Sequence, residues 1–485
     1  MGVLEGLEPE SVFGYFEEIC RIPRMYGELD KITNYLIGFA KTNELEYKKD
    51  DAGNVIIYKE AAMGYEGSKP VLLQAHMDMV CENDYDYDAR YDVSKEGVTP
   101  AIIDDLIYAK GSSLGSIDGV GMAYILSVLA DKKAMHPRIE AMFTADRYDS
   151  MKGVSGFDSN MILSRRMISF SHFNEGELLN SSAGSRKVIC KVPVRYEKKK
   201  GILYDLVICG LMGGHAGLEI DQYRGNANIL MGRLLHYIDL SINFELNYLK
   251  GGMQYDSIPR EAKASVLIRE EDINILEDIV DDFARDLQKE YYNIEENLTI
   301  YCENKGEGEY DVLTSKTNQR VIFLLMTIPD GIARLCPSMQ SVVQTSSNTG
   351  IIELDKNDFV VRISIRSQLT SEKHALSDKL RYLTETIGGA YEVEENFHSW
   401  EYISFSPMRK IAEKVYNKKF FTDILVTGTH DSTECGIITD KIRDMDIIVI
   451  GTAMENINTT KERLSINSVE RTYGFLLGIL EELKE

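Results

Sequence analysis

No stretch of this chain approaches the roughly 20 consecutive apolar residues that span a bilayer, so a membrane-spanning helix is not expected. Its first residues, MGVLEGLEPESVFGYFEEIC, place acidic side chains where a secretory signal carries basic ones, and they lack a continuous apolar core. Gly2 lacks the Ser or Thr at position 6 that myristoylation requires. Cysteine is sparse and scattered: Cys20, Cys81, Cys190, Cys209, Cys302, Cys336 and Cys435 are odd in number and show no CxxC spacing. Reduced thiols in a cytoplasm fit that usage. Repeats at solenoid periods and low-complexity tracts are also missing.

Positive charge is in deficit. Lys plus Arg total 54 against 77 Asp plus Glu, a net charge of −23, so the field of the whole protein repels polyanions and nucleic acid is not an expected partner. Hydrophobic residues make up 44% and charged residues 27%, enough apolar surface for packed cores, which argues against disorder. A length of 485 residues exceeds what one core supports, since cores stop growing at roughly 250–300 residues. Two domains are therefore expected.

Residues 8–23 place Val12, Phe13, Phe16, Ile19 and Cys20 at helical spacing, and 30–42 do the same with Ile32, Tyr35, Leu36 and Phe39. GNVIIYKE and PVLLQAHMDMV read as strands, GMAYILSVLADKK as a helix and IEAMFTA as a strand. Helices alternating with strands indicate an α/β architecture. Near Arg186 the texture changes to KVICKVPVRYEKKKGILYDLVICGLMG, which reads as two strands joined by a basic turn, and then to a helix over NANILMGRLLHYI. VVRISIRSQ reads as a strand, 371–386 as a helix, and the acidic stretch YEVEENFHSW ends this part near Trp400. A helix at 407–417, the strand DIIVIGTA and a closing helix, SVERTYGFLLGILEELKE, look like the remainder of the first domain. The expected division is 1–185 with 400–485, and an inserted domain over 186–399.

The strongest chemical signal is QAHMDMV, where His76 and Asp78 end a hydrophobic strand. A metal-ligating histidine usually has its other ring nitrogen held by a carboxylate. Taken alone, His76 reads equally as a hydrogen-bonded histidine at a strand end. Its surroundings add more, because VLLQAHMDMVCEND, GSSLGSIDGVGMA, GGHAGLEIDQYRGNAN, SIPREA, HDSTECG and RLSINSVERTYGFLL follow in one order. That order resembles the aminoacyl-histidine dipeptidases of the M20 metallopeptidases over about residues 5–485. The resemblance implies a zinc-exopeptidase-like α/β domain, a central mixed sheet flanked by helices, with an inserted α/β lid domain. It also implies peptide-bond hydrolysis at two zinc ions.

Most residues that the resemblance assigns to that zinc centre are different here. His76 matches the first ligand and Asp78 the carboxylate that orients it. LGSIDGVG aligns with a family LGADNGIG and puts Ile117 at the bridging aspartate, with Asp118 one residue along as a substitute. FTADRYDSMKG puts Arg147 at the general base and Tyr148 at the next ligand. A guanidinium cannot take a proton from water, so Arg147 is not a competent base. Asp146 and Asp149 are substitutes for that base or simply loop carboxylates. SFSHFNEGELLNSSAG puts Ser171 at a ligand aspartate, beside His172, which reads as a substitute ligand or as a surface histidine after a strand. GTAMENINTTKE puts Asn458 at the last ligand histidine, and no histidine occurs after His430. A catalytic zinc needs about three protein ligands and an open position. The expectation is a pseudoenzyme with no resident cofactor, in which Arg147 fills part of the vacated place and pairs with Asp78 or another carboxylate close to His76. The alternative is an active or weakly active Xaa-His metallodipeptidase with a rearranged site, for which zinc is the cofactor.

The inserted domain keeps more of the pattern. By resemblance His215 polarises a scissile carbonyl, Asn226 touches the peptide and Arg366 clamps a terminal carboxylate through a bidentate fork. Gly213, Gly214 and Asn226 read equally as a turn and helix start. His430 and Glu434 are retained without an evident role. Expected partners are short peptides or dipeptides, with a homodimer also compatible; neither nucleic acid nor a membrane is among them.

Overall fold

The computed structural model describes residues 2–88, 90–337, 339 and 342–484. The chain forms two compact units: Met1–Asn180, Tyr402–Gly428 and Ile437–Glu485 make the first, and Ser181–Glu401 with Thr429–Gly436 the second.

An eight-stranded mixed sheet organises the first unit. Its order is Glu46–Lys49, Val55–Lys59, Ile139–Thr144, Val71–His76, Arg166–Ser169, Asp446–Ile450, Glu177–Ser182 and Leu425–Thr429. The four middle strands, from Ile139–Thr144 to Asp446–Ile450, run parallel to one another. Val71–His76 is buried at every position, as an apolar run with neighbours on both edges requires. The helix Ser116–Ala130 is apolar all round and buried from Asp118 to Leu129, the mark of a helix inside a core rather than on its surface. Helices Glu10–Cys20 and Ile466–Glu482 bury Val12, Phe13, Phe16, Val469, Leu476 and Ile479 in the same core.

The second unit is built on a nine-stranded sheet that is antiparallel throughout its described pairings. Alternate residues of its strands, such as Val188, Cys190 and Val192 or Tyr204, Leu206 and Ile208, share one buried face. Helices Ala227–Asp239, Ile273–Glu290, Ser315–Thr327 and Thr370–Thr386 pack into that core. Ile273–Glu290 does so through Leu276, Val280, Phe283 and Leu287, spaced for a single stripe.

Three local expectations change. Lys198, Lys199 and Lys200 form no turn but lie inside the strand Tyr196–Cys209, where Lys198 faces Asp311 and Lys200 faces Glu309 on Thr299–Leu313. Opposite charges directly across a ladder stabilise it, so a basic run that reads as a turn in isolation becomes strand when an acidic run pairs with it. Thr429–Gly436, expected in the first domain, packs with the second unit: His430 bonds Ser346 and Asp431 bonds Arg366. The acidic stretch that was expected only to close the second domain contributes Ala390–Asn396, an edge strand on Gly184–Pro193.

Candidate functional site

Four parallel strands end at one edge of the first sheet, so the loops that follow them meet there. Those loops carry Asp78, Arg147 with Tyr148, and Ser171; Asn458 lies one short strand further on, between Met454–Glu455 and Arg463–Ser465. In open α/β sheets the carboxyl ends of the strands are where ligands bind.

His76 is 2% exposed and sits between two buried carboxylates. Its Nε2 is in direct contact with Asp118 Oδ2, and its Nδ1 lies 3.3 Å from Asp78 Oδ1 and 2.9 Å from the Asp78 carbonyl oxygen. Asp118 Oδ1 also accepts from the His76 amide at 3.0 Å and from Ser171 Oγ at 3.0 Å. Burial alone would lower the His76 pKa, but the charges and hydrogen bonds of Asp118 and Asp78 outweigh it and raise it to about 10. Burial would raise Asp78, but His76 and the amides of Tyr148 and Arg147 bring it below the usual carboxylate range. The carboxylate facing His76 therefore comes from Asp118, while its neighbour Ile117 is half-buried and packs against the core. Successive helical residues point in different directions, and the helix starting at Ser116 turns residue 118 toward the strand end.

Tyr148 packs edge-on against His76, ring centroids 5.4 Å apart, and its hydroxyl donates to Asn458 Oδ1 at 3.1 Å. The Tyr148 amide donates to Asp78 Oδ2 at 2.9 Å. Sequence reasoning pointed to Arg147 as the partner of Asp78 or of another carboxylate close to His76. His76 is in contact with Asp78, and the Arg147 guanidinium lies over the Tyr148 ring, 5.7 Å from its centroid. The other acidic candidates have structural partners: Asp146 Oδ1 accepts from the Gly27 amide at 2.6 Å, and Asp149 pairs with Lys152. His172 is buried, not on the surface, and bonds Glu177 Oε2 at 2.8 Å. Among the described residues, no group of three or more His, Cys, Asp and Glu is arranged to hold a metal ion.

Two residues that sequence reasoning missed build this centre. Arg24 is fully buried and donates to the carbonyls of Met77 (3.2 Å), Asp78 (3.3 Å) and Gly115 (2.6 Å), tying the strand end to the helix start. Gly115 has φ +65°, and a Cβ there would lie 2.6 Å from Arg24 Nη2. Glu462 caps the same helix from far along the chain, accepting from the amides of Leu114, Gly115 and Ser116. Neither has a local sequence signal, because each partner is more than 50 residues away.

The second unit carries its own polar cluster. Arg366 Nη1 donates to Asp431 Oδ1 at 2.9 Å and Nη2 to Asp256 Oδ1 at 3.0 Å. His215 Nδ1 accepts from the amides of Gly217 and Leu218, both at 3.2 Å, which leaves the ring proton on Nε2. Burial, reinforced by Arg366 against the pull of Asp431, lowers the His215 pKa and keeps the ring neutral. A Cβ on Gly217 would lie 2.9 Å from Arg366 Cζ and 3.0 Å from His215 Cε1, so a bare backbone is what lets these two groups approach. His430 Nε2 bonds Ser346 Oγ at 2.7 Å, and burial with Arg366 nearby pushes its pKa down to about 3.

Asn226 belongs to a different network. Its Oδ1 accepts from the amides of Asn228 (3.0 Å) and Ile229 (3.4 Å), capping the helix Ala227–Asp239, and its Nδ2 donates to Asp330 Oδ1 at 3.1 Å. Both ends of the amide serve the fold. Asp330 Oδ1 also accepts from the Thr349 amide at 2.6 Å, yet burial raises its pKa to about 6. A folded-state pKa above the ordinary carboxyl value means that ionisation opposes folding. The favourable contribution of the protonated acid is full below pH about 4 and is lost as pH rises through about 6. Asp330→Asn is therefore expected to raise stability by about 1 kcal/mol or more at pH 8 and to change little at pH 4. Thermal unfolding at both pH values checks this, and an equal shift at the two would contradict it.

Comparison with known proteins bears on the whole chain. The peptidase dimerisation domain model of the M20 type matches residues 208–295. The cytosol non-specific dipeptidase of Escherichia coli (strain K12) is 29% identical over 100% of this chain and 99% of that protein. The crystal structure of aminoacylhistidine dipeptidase from Vibrio alginolyticus shares 28% identity at a TM-score of 0.89, covering 99% of this chain and 98% of that one. An aminopeptidase PepT from Bacillus cereus, at 13% identity and a TM-score of 0.57 over 99% of this chain and 100% of its own, shares the fold. Over nearly its whole length the chain is thus similar, in sequence and in fold, to dipeptidases of the M20 type.

Proposed function

We propose that this chain is a dipeptidase homologue that does not run two-zinc hydrolysis and that retains peptide binding in its second unit. The observation that carries this reading is the direct contact of His76 Nε2 with Asp118 Oδ2. In that contact the ring nitrogen and the carboxylate satisfy each other, an arrangement that needs no ion between them. Around that pair the candidate positions offer Ile117, Tyr148, Ser171 and Asn458, none of them a carboxylate or imidazole. Burial, together with Asp118 and Asp78, holds the Tyr148 proton firmly, so the phenol is no base near neutral pH. Arg147 cannot take a proton at all.

A rearranged, zinc-dependent Xaa-His dipeptidase is the second reading, and the reach of the Asp118 carboxylate to His76 favours it. Metal analysis by mass spectrometry beside a dipeptidase assay on Xaa-His substrates separates the two. The expected result is no stoichiometric zinc and no turnover that a chelator removes. Stoichiometric zinc with chelator-sensitive hydrolysis would establish the second reading instead. The dimerisation-domain match over 208–295 supports a homodimer. Seven scattered cysteines without CxxC spacing support a reducing, cytoplasmic setting, as does the resemblance to a cytosolic dipeptidase. Among the described residues no helix is long and apolar enough to cross a membrane.

A further inference from the structure

The fork of Arg366 is directed at two carboxylates of its own unit. The guanidinium is 6% exposed, while Asp256 and Asp431 are 27% and 29% exposed, so the cation lies beneath its partners. Asp256 is fixed from several sides. Besides Arg366, Ser364 Oγ donates to its Oδ1 at 2.8 Å, and Lys187 Nζ lies 3.6 Å from its Oδ2. Burial opposes its ionisation, but Arg366 and these neighbours hold the acid below its usual range. Asp431 instead stands in an irregular loop between the strand Leu425–Thr429 and the helix Glu434–Lys441, with its backbone amide on Thr429 Oγ1 at 3.1 Å. A carboxylate borne on a loop moves with that loop.

The position that Asp431 takes on Nη1 is the position an external carboxylate would take. His215, with Gly217 between it and Arg366, offers a neutral Nε2–H to a neighbouring carbonyl. We propose that Asp431 is an internal stand-in for a ligand carboxylate, so that the second unit accepts the free carboxyl end of a short peptide only when the 429–436 loop withdraws Asp431 from Arg366. The inference rests on the peptide-binding reading above and assigns its specificity. Self-occupancy weakens apparent affinity by the fraction of molecules in which the site is open. Relieving competition for one charge-assisted hydrogen bond is worth about 10- to 100-fold in affinity.

The experiment uses the full chain, with Gly-Gly and its C-terminal amide as probes, titrated calorimetrically into the natural protein, Asp431→Ala and Asp431→Asn. Asp431→Ala is expected to bind Gly-Gly about 10- to 100-fold more tightly than the natural protein and the amide no more tightly. Asp431→Asn keeps an acceptor for Nη1 but loses the charge, so it should show a smaller gain of the same sign, and it carries the test if the alanine variant does not fold. Equal affinity of all three proteins for Gly-Gly, including no binding by any, overturns the inference, as does an equal gain for acid and amide. If the natural protein binds Gly-Gly and the variants bind it no better, only this inference falls. If the variants alone bind the acid, peptide binding by the natural protein falls and the inference stands.

Discussion

Glu462→Ala is expected to lower the free energy of unfolding by about 3–5 kcal/mol, the scale on which removing one partner of a buried charged network acts. The helix Ser116–Ala130 begins after Gly115, which has no side chain to cap it, so its first amides need an acceptor from elsewhere. Glu462, 2% exposed, supplies one: Oε2 accepts from the amides of Leu114 (2.9 Å) and Gly115 (3.0 Å), and Oε1 from the amide (2.8 Å) and hydroxyl (2.5 Å) of Ser116. Its charge also sits at the positive end of the helix dipole. Alanine would leave four buried donors without this acceptor, each costing about 1–3 kcal/mol before relaxation. Glu462→Gln keeps acceptor capacity at one atom and loses the charge, so it should cost less than half as much. Urea unfolding monitored by far-ultraviolet circular dichroism checks both. An alanine variant within 1 kcal/mol of the natural protein, a surface-like effect, would show that water replaces the cap.

How far this centre can be read from sequence depends on where each residue's partner lies. His76 and Asp78 are legible because a buried apolar run ends on them, and the strand end then fixes where they stand. The α/β class and the inserted unit are legible from periodicities of 3.6 and 2. Asp118 was visible only as a neighbour of the aligned position, since the rotation of a helix about its axis is set by packing and not by spacing. Arg24, Glu462, Asp256 and Asp431 carry no local pattern at all. Each acts across the chain, as Glu462 does on Leu114 and Asp256 on Arg366. The lysines at 198–200 misled for the same reason, because the acidic run that makes them strand is about 110 residues away.

The largest pH-dependent effect is expected at Asp118. Replacing it by alanine removes the acceptor of the His76 amide and of Ser171 Oγ, and removes one of the two carboxylates that keep His76 charged. Breaking such a buried pair costs about 3–5 kcal/mol. Asp118→Asn keeps an acceptor and removes only the charge, so it isolates the electrostatic part. The direction with pH follows from His76, whose folded-state pKa is raised from 6.5 to about 10. Stabilisation by the charged ring is complete below the unfolded value and is lost as pH rises through the folded value, the window from about 6.5 to 10. Asp78, lowered in the fold, contributes above the ordinary carboxyl range and loses its contribution only as pH falls below it. The natural protein should thus lose stability between pH 7 and 10, by at most about 1.4 kcal/mol per pH unit for one proton. In Asp118→Asn the His76 pKa falls back toward its ordinary value, so the decline should flatten. The gap between the two proteins should be widest near pH 6 and should narrow toward pH 10. Urea midpoints at pH 6, 8 and 9.5 measure it. Parallel profiles for the two proteins would mean that Asp118 does not hold a charge on His76.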